Sequence, residues 1–330
     1  MSRIFLTGLL ITTTSFLFAQ NIDAIINVKE VERIERTLAA DNMRGRKTFT
    51  PDIDKAADFI AAEFKSTRLQ TWNNTGSYRQ EFTLTSADLV KYGITSMPGI
   101  NEYKLANVVG VLPGKSRKEE YVIFSGHYDH VGVGEAVNGD SIYNGANDDA
   151  AGTTAVILLA KYFKELNNNE RTIVFVAFTA EETGGFGSQY FSRQVDAGKV
   201  VAMFNIEMIG TESKWGKNSA YITGYDKTDM GKIMAGDLKG TGFTFYPDPY
   251  IEQDLFYRSD NATLARLGVP AHTISTSKMD NEPNYHQVTD HVETLNLDNM
   301  TMIIKAIALS SKSIVAGKKA PTRVKLESLR

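Results

Sequence analysis

Acids and imidazoles gather at the ends of hydrophobic runs in this chain. They are His127 in SGHYDH, Asp148 and Asp149 in NGANDDAAG, Glu181 and Glu182 in FTAEETGG, Glu207 in FNIEMIG and His286 in NYHQ. Imidazole nitrogens and carboxylate oxygens are the donors that Zn²⁺ accepts, and a catalytic site keeps one position free for water. Two metals sharing one carboxylate can clamp both the attacking oxygen and the carbonyl under attack. Such a centre needs about five ligands and one unligated carboxylate to carry the proton, and these positions supply that set. The chemistry they imply is hydrolysis by a metal-bound water.

Strands of an α/β sheet are the elements that would carry these groups. NVVGVLPG and YVIFSG read as neighbouring strands, followed by a helix over AGTTAVILLAKYFKEL and an apolar strand over RTIVFVAFTA. VVAMFNIEMIG, SAYITG and VPAHTIST add further strands, and a last helix runs from about Leu297 to Val315. Upstream, Val28 to Ala40 and Ile53 to Phe64 have helical spacing, with Pro51 in the first turn of the second helix and Asp52 as its cap. Nearly continuous β runs alternating with helices predict a mixed, largely parallel central sheet flanked by helices on both faces. Active sites of such sheets lie beyond the carboxyl ends of the strands, which is where His127, Glu181, Glu182 and Glu207 fall.

Composition narrows the function classes. The 330 residues have a net charge of −3, which argues against a nucleic-acid partner. No cysteine is present, so disulfides, thiolate ligands and catalytic thiols are excluded. Residues 1–19 read as a secretory signal, with Arg3 at its start, an apolar stretch from Ile4 to Phe18 and Ala19 at the cut. A secreted or periplasmic protein is expected, with no membrane span after residue 19. Residues 20–330 read as one domain, with a helical segment at about 28–66 and a catalytic core at about 105–316. Asn73 and Asn261 stand in N-x-T sequons. No HExxH or GxSxG motif occurs, which removes the commonest one-zinc protease and serine hydrolase readings.

The ordered series HYD, NDDAAG, AEE, IEM and YH resembles the zinc aminopeptidases of the M28 peptidase family. MRGRKTFTPDIDKAADFIAAEF resembles that family's N-terminal helical segment, and SDNATLARLGVPA its late strand entry. The resemblance implies two Zn²⁺ ions. His127 and Glu207 would hold one, Glu182 and His286 the other, and Asp148 would bridge them with a cis peptide to Asp149. It makes Glu181 the general base and acid, lets Asp129 hydrogen-bond His127 from behind, and offers the Tyr285 hydroxyl to the oxyanion. Asp149 would stand behind Asp148, also serving the helix start. Peptides with free N-termini would be the substrates. One departure stands out, since the family usually has Asp where this chain has Glu207.

Each residue also has a plainer reading. Asp148 and Asp149 suit a helix N-terminus, Glu181 and Glu182 a solvated first turn, and Tyr285 a core position. His286 competes with His291, which reads as a surface or capping residue. His130 and His272 read as structural or pocket-lining. The aromatic and acidic run FYPDPYIEQDLFYRSDN reads equally as a cleft wall or a packed loop. Two rival functions share the fold: a single-zinc glutaminyl cyclase-like transferase, and a binding protein on a peptidase scaffold that has lost its chemistry.

Overall fold

The computed structural model describes residues 22–95 and 99–330, so the expected signal at 1–19 lies outside the described residues. In chain order the helices and strands are α1 (Val28–Leu38), α2 (Pro51–Ser66), β1 (Gln70–Thr71), β2 (Arg79–Thr85), α3 (Ser86–Lys91), β3 (Glu102–Leu112) and β4 (Arg117–His127). A hairpin, β5 (Gly132–Val137) and β6 (Asp140–Tyr143), precedes α4 (Ala151–Leu166), β7 (Arg171–Phe178), α5 (Phe186–Gln194) and β8 (Val200–Ile206). The chain closes with β9 (Ser219–Ile222), α6 (Met230–Leu238), β10 (Thr244–Pro247), α7 (Asn261–Ala265), β11 (Ala271–Ser275), α8 (Leu297–Ser310) and α9 (Lys312–Val315).

One large sheet runs β1-β3-β7-β4-β8-β11-β9-β10, with β2 also on β3. Its centre, β7-β4-β8-β11, is parallel throughout, while β3 and β9 join that centre antiparallel. Both faces are covered. Along β7, Ile173, Phe175 and Ala177 enter the core under α1, α2, α4 and α8, while Val174, Val176 and Phe178 enter the core beneath α5 and α7. At the middle Phe124 stacks on Phe163, Phe175 and Phe204, with ring centroids 5.3, 5.9 and 5.0 Å away. Burying one such ring is worth about 1.5–3 kcal/mol.

Three expectations change. β3 and β4 are not neighbours, because β7 inserts between them. Thr50, not Asp52, caps α2, its hydroxyl accepting the Asp52 N–H, with Pro51 at the first helical position. The final helix breaks after Ser310 and resumes at Lys312. Asn261 of the second sequon is fully buried, its amide donating to Phe256 O, so the folded chain hides it. Among the described residues no helix is long and apolar enough to cross a membrane.

Gly152 sets how closely α4 meets the sheet. A Cβ there would overlap the Ile206 carbonyl and the Asp149 carboxylate, so only glycine lets the helix start against the end of β8. That contact brings the turn before α4 beside the turn after β8. Asp148 and Glu207 thereby share one end of the sheet.

Candidate metal centre and active site

The carboxyl ends of β4, β7 and β8 deliver His127, the Glu181–Glu182 turn and Glu207 to one edge, and the loops before α4 and α8 add Asp148 and His286. Asp148 is the hub. Its Oδ1 lies 3.2 Å from His127 Nε2, and its Oδ2 lies 3.1 Å from His286 Nε2. Glu182 Oε2 is 3.0 Å from the same His286 nitrogen. The peptide bond from Asp148 to Asp149 is cis.

His130 joins this group. Its Nδ1 lies 2.9 Å from Glu182 Oε1 and 3.7 Å from Asp148 Oδ2. Donor atoms of His130, Asp148, Glu182 and His286 all fall within 4.8 Å of one another. Sequence reasoning set His130 apart from the ligands, although the second imidazole of HYDH was its signal. Gly145, in a left-handed conformation, is what admits the ring, since a Cβ there would overlap it.

The donor set fits a zinc-type ion. His127 Nε2 and His286 Nε2 are buried and face carboxylate oxygens, yet neither makes a hydrogen bond with proper geometry. One faces Asp148 Oδ1 and the other Asp148 Oδ2, the arrangement expected of ligands on either side of a bridging carboxylate. Glu207 is placed differently. Its Oε2 is buried without a partner, and it stands outside the four-donor group. Burial pushes its carboxyl up to about 7, against the opposing pull of the His127 imidazole and the Ser259 hydroxyl.

Charge is finely divided among the rest. Burial would raise Asp148, but its close contacts with the His127 and His286 imidazoles hold it well below the carboxylate range. Glu182, also desolvated and beside Asp148, is held below its usual value by His130 and His286. Burial would lower His127, but Asp129 and Asp148 hold it well above the ordinary imidazole value. Glu181 keeps part of its surface exposed, yet its carboxyl is enclosed, and burial, opposed by the His127 imidazole but backed by Glu207 and Asp260, holds it well above the carboxylate range. A carboxyl so poised suits general base and acid work.

Three acids that hold backbone amides assemble the turns. Asp129 accepts the N–H groups of Glu181 and Glu182 at 3.1 and 3.3 Å, and the Thr48 hydroxyl at 3.0 Å. Asp149 accepts those of His127 at 3.1 Å, Gly152 at 2.9 Å and Met208 at 3.0 Å. Asp290 accepts those of Asn147 and Asp148 at 2.9 and 3.1 Å. Ala180 and Met208, beside amides so held, have φ values of 59° and 51°, and His286 one of 53°. Left-handed non-glycine residues cost about 1–3 kcal/mol, and they cluster where function needs them.

Asp129 differs from its expected part. The His127 Nδ1 sits 3.1 Å from the Asp129 backbone carbonyl and 3.7 Å from its carboxylate, so the main chain fixes the tautomer. Tyr285 stacks on His286 with ring centroids 4.0 Å apart, and burial raises its hydroxyl well above the ordinary phenol value. Arg258, paired with both Asp280 oxygens at 2.8 and 2.9 Å, lies beside that hydroxyl. Tyr285 and Arg258 share a small cavity of about 20 Å³ with Glu207, Leu255, Ser259 and Met279, so part of the aromatic run does line the cleft.

Asp260 and Asp290 were not singled out in the sequence. Burial lifts each to about 6. An acid inside SDN, just ahead of the segment ATLARLGVPA, was the available signal for Asp260. His272 is structural as expected, held between Thr223 O and the Thr228 hydroxyl, each at 2.8 Å. His291 pairs with Asp140 at 3.4 Å, away from the centre.

Comparison with known proteins agrees with this geometry. Residues 107–310 match Peptidase family M28. A probable leucine aminopeptidase from Trichophyton verrucosum is 28% identical over 210 residues, covering 61% of this chain and 55% of the relative. The chain thus spans about half the length of the curated relatives it matches first. A zinc aminopeptidase from Bacillus subtilis superposes with a TM-score of 0.69 at 15% identity, covering 89% of this chain and 97% of its own. A glutaminyl cyclase from Porphyromonas gingivalis superposes with a TM-score of 0.65 at 16% identity, covering 88% and 99%. The shared fold and the match over the residues that carry His127 to His286 make this chain a member of peptidase family M28.

Proposed function

We propose that the chain is an exported zinc-dependent aminopeptidase, active as one domain over residues 20–330. The observation that carries this reading is the gathering of His130, Asp148, Glu182 and His286 donor atoms within 4.8 Å of one another, with the buried His127 and His286 Nε2 atoms facing carboxylate oxygens without a hydrogen bond. Two Zn²⁺ ions fit the donors: His127 and Glu207 would hold one, Glu182 and His286 the other, with Asp148 between them. Zinc supplies a Lewis acid and acidifies water near neutral pH.

The chain's own groups do the rest. Glu181 accepts a proton from the attacking water and returns it to the nitrogen of the departing amine. The Tyr285 hydroxyl, kept protonated by burial, donates to the oxyanion.

A second reading has one observation in its favour. Glu207 stands outside the four-donor group, so a single metal around Glu182 would suffice, as would suit a cyclase acting on N-terminal glutamine.

Mass spectrometry separates the two. Zinc-loaded protein and its Glu181→Gln variant would be incubated with free, acetylated and N-terminal-Gln peptides. Stepwise loss from free N-termini, absent in the variant and sparing acetylated peptides, supports the aminopeptidase. Loss of ammonia from Gln peptides alone supports the cyclase. No change in any peptide overturns both.

A further inference from the structure

The loop between α1 and α2, residues 39–50, supplies no candidate ligand, yet its backbone is as strained as the turns at the centre. Arg44, Arg46 and Phe49 have φ values of 49°, 48° and 66°. Strain of that kind persists only where surrounding bonds over-determine it. Here the bonds converge on Arg46, which is fully buried.

Its guanidinium donates to four carbonyls: Tyr128 O at 2.7 Å, Leu38 O at 2.8 Å, Asn144 O at 2.6 Å and Gly145 O at 2.8 Å. Tyr128 lies between His127 and Asp129. Asn144 and Gly145 open the turn that ends in Asp148. The Arg46 carbonyl in turn accepts the His130 N–H at 3.3 Å, and Thr48 donates to Asp129 at 3.0 Å. One planar fork therefore ties the loop that carries His127 and His130 to the loop that carries Asp148. Lysine, a point charge on a flexible stem, cannot span those carbonyls.

We propose that Arg46 is a positioning residue of the metal centre, fixing the spacing between the His127–His130 loop and Asp148 from the N-terminal helical segment. This rests on the proposed metal site. Arg171 is the internal control. It too is buried and donates to carbonyls, Ile314 O and Lys319 O at 2.6 Å each, but those tie β7 to the C-terminal segment and touch no ligand loop.

The test measures zinc affinity by competition with a chelator, and the visible spectrum of the Co²⁺-loaded protein, below the melting temperature of every variant. Arg46→Lys should weaken zinc binding about 10–100-fold, the range for partners that orient ligands, and shift the cobalt bands. Thr48→Val should act in the same direction and by less. Arg171→Lys should lower the melting temperature and leave affinity and spectrum unchanged. Arg46→Lys protein that is folded and binds zinc like the wild type overturns the inference, as does an equal loss in Arg171→Lys. Should Arg46→Lys fail to fold, Thr48→Val decides, and wild-type affinity there overturns it. Wild-type protein that binds no zinc overturns the metal reading itself.

Discussion

The two halves of the centre are unequally built. Around Glu182, donors from His130, Asp148 and His286 lie within 4.8 Å of one another and already face a common point. At His127, Asp148 Oδ1 lies 3.2 Å from Nε2, and the buried Glu207 Oε2 has no hydrogen-bond partner. Preorganised donors bind at little cost, while a desolvated and partly protonated carboxyl must first ionise. In the two-zinc reading, the shared Asp148 would join a tight half-site to a loose one.

The largest expected effect separates holding a metal from moving a proton. Glu181→Gln should leave zinc content unchanged and lower kcat about 10²–10⁴-fold with KM little altered, as read in steady-state release of N-terminal residues. A loss of zinc would instead draw Glu181 into one of the halves. Tyr285→Phe should lower kcat about 10²-fold, with zinc content again unchanged. A wild-type rate would return Tyr285 to a packing role against His286.

His130→Ala addresses the comparison itself. Two-site zinc titration should show the tight class weakened about 10–100-fold and the loose class unmoved. Equal weakening of both classes would erase the asymmetry.

The smallest effect is on the metal-free protein. Glu207 at about 7, Asp260 at about 6 and His286 at about 10 all bind protons more tightly in the folded chain than unfolded. Stability from such groups is fully present below their unfolded values and is lost as pH rises through the folded ones. The melting temperature of metal-free protein should therefore fall by several degrees between pH 6 and pH 8. Glu207→Gln should flatten that slope, and a slope unchanged in the variant would mean that Glu207 does not titrate there.

Much of the fold could be read in the sequence because buried strands announce themselves. RTIVFVAF is apolar on both faces, and β7 is covered on both. Strand order could not be read, since nothing in NVVGVL or YVIFSG reveals that β7 lies between them. At the site, side chains with unusual chemistry at strand ends were legible, including Asp148 and the Glu181–Glu182 pair. The groups that answer to backbone were not. Asp290 and Arg46 look like ordinary loop charges until folding aims them at amides and carbonyls from distant turns. His130 was passed over because its role depends on Gly145 leaving room for the ring.

The amide-holding acids carry a lesson for transplantation. Asp129, Asp149 and Asp290 between them receive the N–H groups of His127, Asp148, Glu181 and Glu182, together with those of Asn147, Gly152 and Met208. Copying the ligand side chains onto another parallel sheet would move the inventory without its scaffold. The graft would need these three carboxylates as well, because they set where each donor's main chain begins.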